Sequence, residues 1–225
     1  MIPKTIHYCW FGKADKTPLA KKCIASWRRF ASGWEIREWG QQDVEKLSPP
    51  PFFKDAIQAR KWAFASDWAR FAIISAEGGV YLDCDVELVA PIDDLIEEGP
   101  FFALSSNEPS WVEPGLGFAA EKNDAVCFEI ENTYRQIVFD PACHLNQTVP
   151  AITNKILNKY PSRRRLPAEY FNPKGNCAGE IKITPETRAI HHFAASWFNW
   201  KQRLAYIIWP NMKRLISKKR HSILI

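Results

Sequence analysis

Three observations in the sequence predict an α/β fold with a mainly parallel central sheet. Short apolar, strand-like runs alternate with amphipathic helical ones along the chain. A long apolar stretch ends at Gly78-Gly79, a helix stop, and gives way at once to the strand-like Val80-Tyr81-Leu82. That run leads directly into Asp83-Cys84-Asp85, at the carboxyl end of a strand, where open α/β sheets bind their ligands.

Lys4 to Cys9 reads as the first strand. Pro18 to Phe30 follows as a helix, with Leu19, Cys23, Ile24, Trp27 and Phe30 on one face and Lys21, Lys22, Arg28 and Arg29 on the other. Trp34 to Trp39 alternates as a second strand. The run Pro49-Pro50-Pro51 fits neither a helix interior nor a central strand, so it marks a turn before one helical stretch from about Phe53 to Glu77. Beyond Val80-Tyr81-Leu82, strands are expected at Phe101 to Leu104, Gly117 to Ala120, Ile181 to Ile183 and Ala189 to Phe193. Helices are expected near Ala125 to Val138 and Thr148 to Tyr160, and no internal repeat is visible.

With 225 residues, 46% of them hydrophobic and 24% charged, the chain can bury roughly 70% of its unfolded surface without disulfide or metal staples. Six cysteines (Cys9, Cys23, Cys84, Cys127, Cys143, Cys177) form no C-x-x-C pair and have no histidine at zinc-ligand spacing, so free thiols in a reducing compartment are expected. The first ten residues contain Lys4 and His7 and no apolar h-region, which speaks against a secretory signal. No uncharged run reaches the roughly 18 residues of a spanning helix, and a cytoplasmic protein, soluble or peripheral on the inner face of a membrane, is the expectation.

The net charge of +5 is unevenly placed. Residues 200–225 hold seven basic side chains and no acidic one, leaving 23 basic against 25 acidic in residues 1–199. A nucleic-acid-binding body would carry its basic stripe on the main surface, so no nucleic-acid partner is expected. The organisation read from this is one domain over residues 1–199 and a basic, aromatic C-terminal helix over 200–225.

Side chains two apart in an extended segment project to one side, so Asp83 and Asp85 can face one ligand. Paired hard oxygens suit Mg²⁺ or Mn²⁺ bridging to the phosphates of a nucleotide; the other reading of the triplet is a solvated acidic turn. In the apolar stretch before it, Ser66, Asp67 and Arg70 interrupt Trp62, Ala63, Phe64, Ala65, Trp68, Ala69, Phe71, Ala72, Ile73 and Ile74. Asp67 and Arg70 are i,i+3 neighbours. They form either a structural ion pair or a carboxylate and guanidinium aimed at a polar ligand.

Three segments, Ile2-Pro3-Lys4-Thr5-Ile6-His7-Tyr8-Cys9-Trp10-Phe11-Gly12, Lys61 through Arg70, and Glu77-Gly78-Gly79-Val80-Tyr81-Leu82-Asp83-Cys84-Asp85-Val86, resemble the N-terminal signatures of DXD-containing glycosyltransferases. The chain is most similar to glycosyltransferase family 32, a group that includes mannosyltransferases and bacterial capsule and lipopolysaccharide transferases and is related to the large clostridial glucosylating toxins. His191-His192-Phe193-Ala194-Ala195-Ser196-Trp197 resembles the closing motif of that family. Between them, Gly115-Leu116-Gly117-Phe118 and Thr148-Val149-Pro150 match loosely.

The resemblance implies a GT-A-like, Rossmann-type fold, a nucleotide-sugar donor (UDP- or GDP-sugar), Mn²⁺ or Mg²⁺, and transfer with retention to a saccharide or lipid-linked acceptor. By the same resemblance Tyr8 and Trp10 line the base pocket, for which aromatic stacking is a physical basis; core packing is the alternative for both. Asp67 and Arg70 hold the donor sugar, Asp83 faces ribose and metal, and Asp85 binds the metal. His191 or His192 completes the metal shell, and Ser196 and Trp197 close over the diphosphate. Adjacent histidines in an extended segment point opposite ways, so one of the two at most is a ligand.

Paired aspartates at a strand end also serve phosphotransferases and nucleotidyltransferases, but neither G-x-x-x-x-G-K nor G-x-G-x-x-G occurs in this sequence. A third reading is a non-catalytic module held at an anionic membrane surface by the tail, where Trp197, Phe198, Trp200, Leu204, Tyr206, Ile207, Ile208 and Trp209 interleave with Lys201 and Arg203. A terminal helix packed on the domain is the alternative for that segment.

Overall fold

The computed structural model describes residues 1–106, 110–140, 148–173 and 180–194. Its centre is a six-stranded sheet in the order β2-β1-β3-β6-β5-β7, formed by β1 (Thr5–Cys9), β2 (Glu35–Trp39), β3 (Gly79–Tyr81), β5 (Phe101–Ala103), β6 (Phe118–Ala120) and β7 (Arg164–Leu166). β1 pairs in parallel with β2 and β3, and β5 with β7; β6 alone runs the other way, antiparallel to both β3 and β5. β4 (Val86–Leu88) and β8 (Ala189–His191) form a separate antiparallel pair with Val86 opposite His191.

Helices cover both faces of the sheet, and the strands sort their side chains with period two. Tyr81, Phe102, Phe118 and Ala120 enter the core on the side of α3 (Pro51–Gln58), α4 (Trp62–Glu77), α6 (Ala125–Thr133) and α7 (Val149–Leu157). Val80, Leu82, Phe101, Ala103 and Ala119 enter the core on the side of α1 (Pro18–Phe30) and α5 (Asp93–Glu97). Phe118 stacks on Phe102 (centroids 5.3 Å, 3°) and Phe71 (4.8 Å, 25°), so one aromatic column ties β5 and β6 to α4.

α1 has the expected bounds: Thr17 caps its first turn, accepting from Ala20 N–H, Pro18 opens it, and Cys23, Ile24 and Trp27 are buried. The single helix expected from Phe53 to Glu77 is two. α3 ends where Arg60 takes a left-handed backbone (φ 55) and Lys61 N–H donates to Ala56 O at 2.8 Å, a Schellman-type end. α4 is apolar on nearly every side and buried from Ala65 to Ser75 except at Ser66 and Asp67. It stops at Gly78 (φ 71), where a Cβ would lie 2.7 Å from Lys122 N and 2.9 Å from Pro3 Cδ.

Ile181 to Ile183 forms no strand. Both isoleucines are exposed, and the nearby backbone bond runs from Lys182 N–H to Pro173 O, so the alternating pattern there has no sheet face to bury. β4 and β7, together with α2 (Gln41–Glu45), α5 and α8 (Ala168–Phe171), are elements the sequence reading did not place. The helix expected to Val138 ends earlier, in a 3₁₀ turn at Tyr134–Gln136. Cys9, Cys23, Cys84 and Cys127 are free thiols, and Cys143 and Cys177 lie outside the described residues.

Candidate functional site

The first turns of α4 lie beside the carboxyl end of β3, because the helix runs back over the sheet before the Gly78-Gly79 stop. That places Arg70 against the acidic triplet. Its Nε donates to Ser66 O and its Nη2 to Ser66 Oγ, both at 3.0 Å. Nη2 also lies 3.0 Å from Asp67 Oδ1 and 3.4 Å from Asp83 Oδ1, and the guanidinium sits over the Tyr81 ring at 5.1 Å. The Arg70 side chain is 4% exposed. A charge so deep in the fold needs matched partners, and here two carboxylates supply them.

The same burial sets the ionisation of the cluster. Burial opposes the charge of Arg70, but Asp83, Tyr81 and Asp67 outweigh it, so the guanidinium stays protonated above its ordinary range. Burial pushes the Asp67 carboxyl up to about 7 against the pull of Arg70. Asp83 is raised for the same reason, with Arg70 opposing. Asp85 goes the other way: burial would raise it, but the His191 ring and the Ala194 N–H bring it down to about 2.

β8 closes over the triplet from the far end of the described chain. His191 Nε2 lies 3.1 Å from Asp85 Oδ1, Ala194 N–H donates to Asp85 Oδ2 at 2.8 Å, and His192 N–H donates to Asp85 O at 3.0 Å. One ligand atom each from Asp83, Asp85 and His191 come within 4.8 Å of one another. Two carboxylate oxygens and an imidazole nitrogen at that separation fit a divalent cation of the Mn²⁺ or Mg²⁺ type. His191 Nδ1 is buried with no hydrogen-bond partner. His192 stands outside this cluster, its ring held by Glu87 at 2.8 Å.

A loop before β6 forms the third wall. Gly115 approaches the triplet so closely that a Cβ there would lie 2.4 Å from Asp83 Oδ2 and 3.5 Å from Arg70 Nη1. Glu113 turns the loop by accepting from Leu116 N–H, and its side chain accepts from Ser105 Oγ.

Tyr8 and Trp10 lie at the carboxyl end of β1, next to β3. Tyr8 is buried, edge-on to Trp27 at 5.3 Å, and its hydroxyl donates to Glu38 Oε2; burial first, then the Glu38 carboxylate, keeps that hydroxyl protonated. Trp10 is half-buried, its indole N–H on Ala14 O at 2.9 Å and the Lys16 ammonium 5.7 Å above its ring. Lys16 also pairs with Glu38 at 2.6 Å. The ring offered toward solvent at this edge is thus Trp10, with Tyr8 beneath it in the core. Ser196, Trp197 and the basic tail over 200–225 lie outside the described residues. Among the described residues no helix is long and apolar enough to cross a membrane.

Residues 18–102, from α1 to β5, match the model of a glycosyltransferase sugar-binding region containing a DXD motif. Asp67, Arg70, Asp83 and Asp85 fall within the match. An uncharacterized glycosyltransferase of Acanthamoeba polyphaga mimivirus is 25% identical over 107 residues, covering 45% of this chain and 43% of the relative. The chain therefore aligns with less than half of that relative's length. Among solved structures, PaToxG glycosyltransferase superposes with a TM-score of 0.53 at 16% identity, covering 71% of this chain and 69% of that one. The fold is GT-A-like. The family supported by these matches is the glycosyltransferases.

Four participants have no role assigned from the sequence. Ser66 and Tyr81 fix Arg70, Gly115 shapes the wall against Asp83, and Glu87 holds His192. Gly115 left a trace, a paired glycine ahead of an aromatic strand in Gly115-Leu116-Gly117-Phe118. Glu87 left none, since its partner is 105 residues away.

Proposed function

We propose that this chain is a metal-dependent glycosyltransferase of family 32 that moves a sugar from a UDP- or GDP-sugar to a saccharide or lipid-linked acceptor, with retention, in the making of surface polysaccharide or glycolipid. The observation that carries this reading is the convergence of Asp83, Asp85 and His191 within 4.8 Å, beside the buried Asp67–Arg70 pair, at the carboxyl ends of β1 and β3. A cytoplasmic location, with residues 200–225 touching the inner face of a membrane, belongs to the same reading.

Asp83, Asp85 and His191 would hold the cation, and the imidazole nitrogen favours Mn²⁺ over Mg²⁺. Bound there, it supplies neutralisation of the charge that grows on the diphosphate leaving group. Trp10 gives the base an aromatic face. Arg70 cannot swing away, because Ser66, Asp67, Asp83 and the Tyr81 ring fix it on several sides, so its positive charge is preorganised beside the donor. Asp67 accepts hydroxyl hydrogen bonds from the donor sugar, and its carboxylate offsets the positive charge that develops at the anomeric carbon. No side chain is assigned as a covalent nucleophile.

A thermal-shift panel of UDP-, GDP- and TDP-sugars with and without Mn²⁺ tests the reading. A ligand at 100 times its dissociation constant adds about 2.7 kcal/mol of stability. Stabilisation by one nucleotide-sugar, dependent on Mn²⁺, is the expected result. No response to any donor in the presence of Mn²⁺ would overturn it.

A further inference from the structure

The β4–β8 ribbon is three residues long on each side, and a two-stranded ribbon of that length is marginal in water by itself. What fixes it is side-chain anchoring. α1 holds β4 to the body: Trp27 Nε1 donates to Val86 O at 2.8 Å, Ser26 Oγ accepts from Leu88 N–H at 2.9 Å, and Lys22 Nζ reaches Glu87 Oε2 at 2.7 Å. The start of β8 is tied through Arg188, whose N–H donates to Tyr170 O and whose Nη2 pairs with Asp94 Oδ2 at 2.8 Å. Past its end the segment is held by Phe193, which packs on the core, and by a side-chain hydrogen bond outside the metal cluster, His192 Nε2 to Glu87 Oε2 at 2.8 Å.

Resting on the reading of Asp83, Asp85 and His191 as a cation site, we infer that Glu87 and His192 are positioning residues for it. Their contact is a latch that seats residues 189–194 on β4. Glu87 Oε2 receives both Lys22 and His192, so the anchor on α1 passes through one oxygen to the end of β8. Both Glu87 and His192 are about four-fifths buried (18% and 20% exposed), so the contact is partly shielded from water, unlike a fully exposed pair.

Just past the latch the chain turns at Phe193, which has a left-handed backbone (φ 49) and packs edge-on against the His191 ring at 4.2 Å and 76°. A bulky residue holds that conformation only where its surroundings over-determine it. Here they are the core under the Phe193 ring, the His191 ring beside it and the latched His192 before it. The turn brings Ala194 N–H onto Asp85 Oδ2 while His191 meets Asp85 Oδ1. Both carboxylate oxygens of Asp85 are thus oriented by the segment the latch holds in place.

The test is Mn²⁺ binding by the full chain, followed by electron paramagnetic resonance of the free ion. Glu87→Ala and His192→Ala are each expected to raise the Mn²⁺ dissociation constant about 10- to 100-fold, the usual cost of losing an outer-shell partner of a ligand. The double variant should match Glu87→Ala, because that change already removes the contact His192 makes. His192→Gln, which keeps a donor for Glu87, should stay close to wild type. On the wild type alone, amide exchange without metal should find Ala194 N–H protected, which requires no variant to fold; rapid exchange there would overturn the latch. Lower melting temperatures with unchanged Mn²⁺ affinity would overturn it too, leaving a merely structural pair. A wild type that binds no Mn²⁺ would overturn the cation reading itself, and the latch with it.

Discussion

Arg70 Nη2 lies 3.4 Å from Asp83 Oδ1, so the cation buried by α4 is the counter-charge of the first carboxylate of the triplet. Asp67, one turn back on the same helix, is its second partner at 3.0 Å. This double pairing separates the consequences of losing each aspartate.

Asp83→Ala leaves Arg70 paired with Asp67, and Asp85→Ala removes a carboxylate whose other contacts are His191 and Ala194 N–H. Each variant should fold, and each should lose about 100-fold or more in transfer, through loss of a ligand rather than of core atoms. Turnover per folded molecule, measured with added Mn²⁺ and again after chelation, checks this. Wild-type rates in both variants, or in chelated wild type, would sink the assignment.

Arg70→Lys is not a conservative change here, because an ammonium cannot meet Ser66 O, Ser66 Oγ, Asp67 and Asp83 with the fixed fork of a guanidinium. The change keeps the charge but leaves some of these buried acceptors unmet, at about 1–3 kcal/mol for each, so its melting temperature should drop. The expected outcome is a further fall in donor use of about 100-fold in the molecules that remain folded, with Asp67→Asn behaving alike. Normal activity of the folded fraction would make the pair purely structural.

Gly115→Ala isolates geometry from conformation. The position has no left-handed backbone, and the added methyl would meet Asp83 Oδ2 at 2.4 Å, so what gives way is the carboxylate. Mn²⁺ affinity and turnover should fall while the melting temperature moves little. Gly117→Ala is the contrasting control: at φ 149 and 2.9 Å from Phe171 Cε1, it should lower stability instead.

His7 gives the pH dependence of folding a defined sign. It is buried, its Nδ1 accepts from Trp39 Nε1 at 2.9 Å, and burial, aided by Arg37, lowers its pKa to about 4. The unfolded chain takes up a proton near pH 6.5 that the folded chain refuses until about pH 4. Stability is therefore full above pH 6.5 and is lost as pH falls from 6.5 to 4, by about 3 kcal/mol at 1.36 kcal/mol per pKa unit. Urea midpoints between pH 7.5 and 4.5 should show this decline in the wild type and a shallower one in His7→Gln; parallel declines would reassign it to the carboxylates.

How much of this was legible follows from range along the chain. α1 could be read to the residue because a proline and an amphipathic stripe coincide within its 13 positions. The triplet and the Asp67–Arg70 pair were visible because charge inside an apolar run is itself a signal. The break between α3 and α4 was hidden because Arg60, not glycine, takes the left-handed turn. β7 was hidden because its Arg-Arg-Leu sequence sits at a sheet edge and shows no apolar alternation. The meeting of β4 with β8, and of Gly115 with Asp83, depends on contacts far apart in the chain that no local pattern encodes.

The reversed strand β6 has a last consequence. Because it runs against its neighbours, its entrance rather than its exit faces the carboxyl end of β3, with Phe118 opposite Tyr81. The loop feeding it is clamped at the neck, where Leu104 bridges Val112, Ser105 N–H donates to Trp111 O, and the Asn154 side chain holds both Val112 N–H and Val112 O. The wall at Gly115 is therefore positioned by contacts to Asn154 on α7 and to the end of β5. A substitution on α7 at Asn154 can thus reach Asp83 without touching it, through the register of this loop.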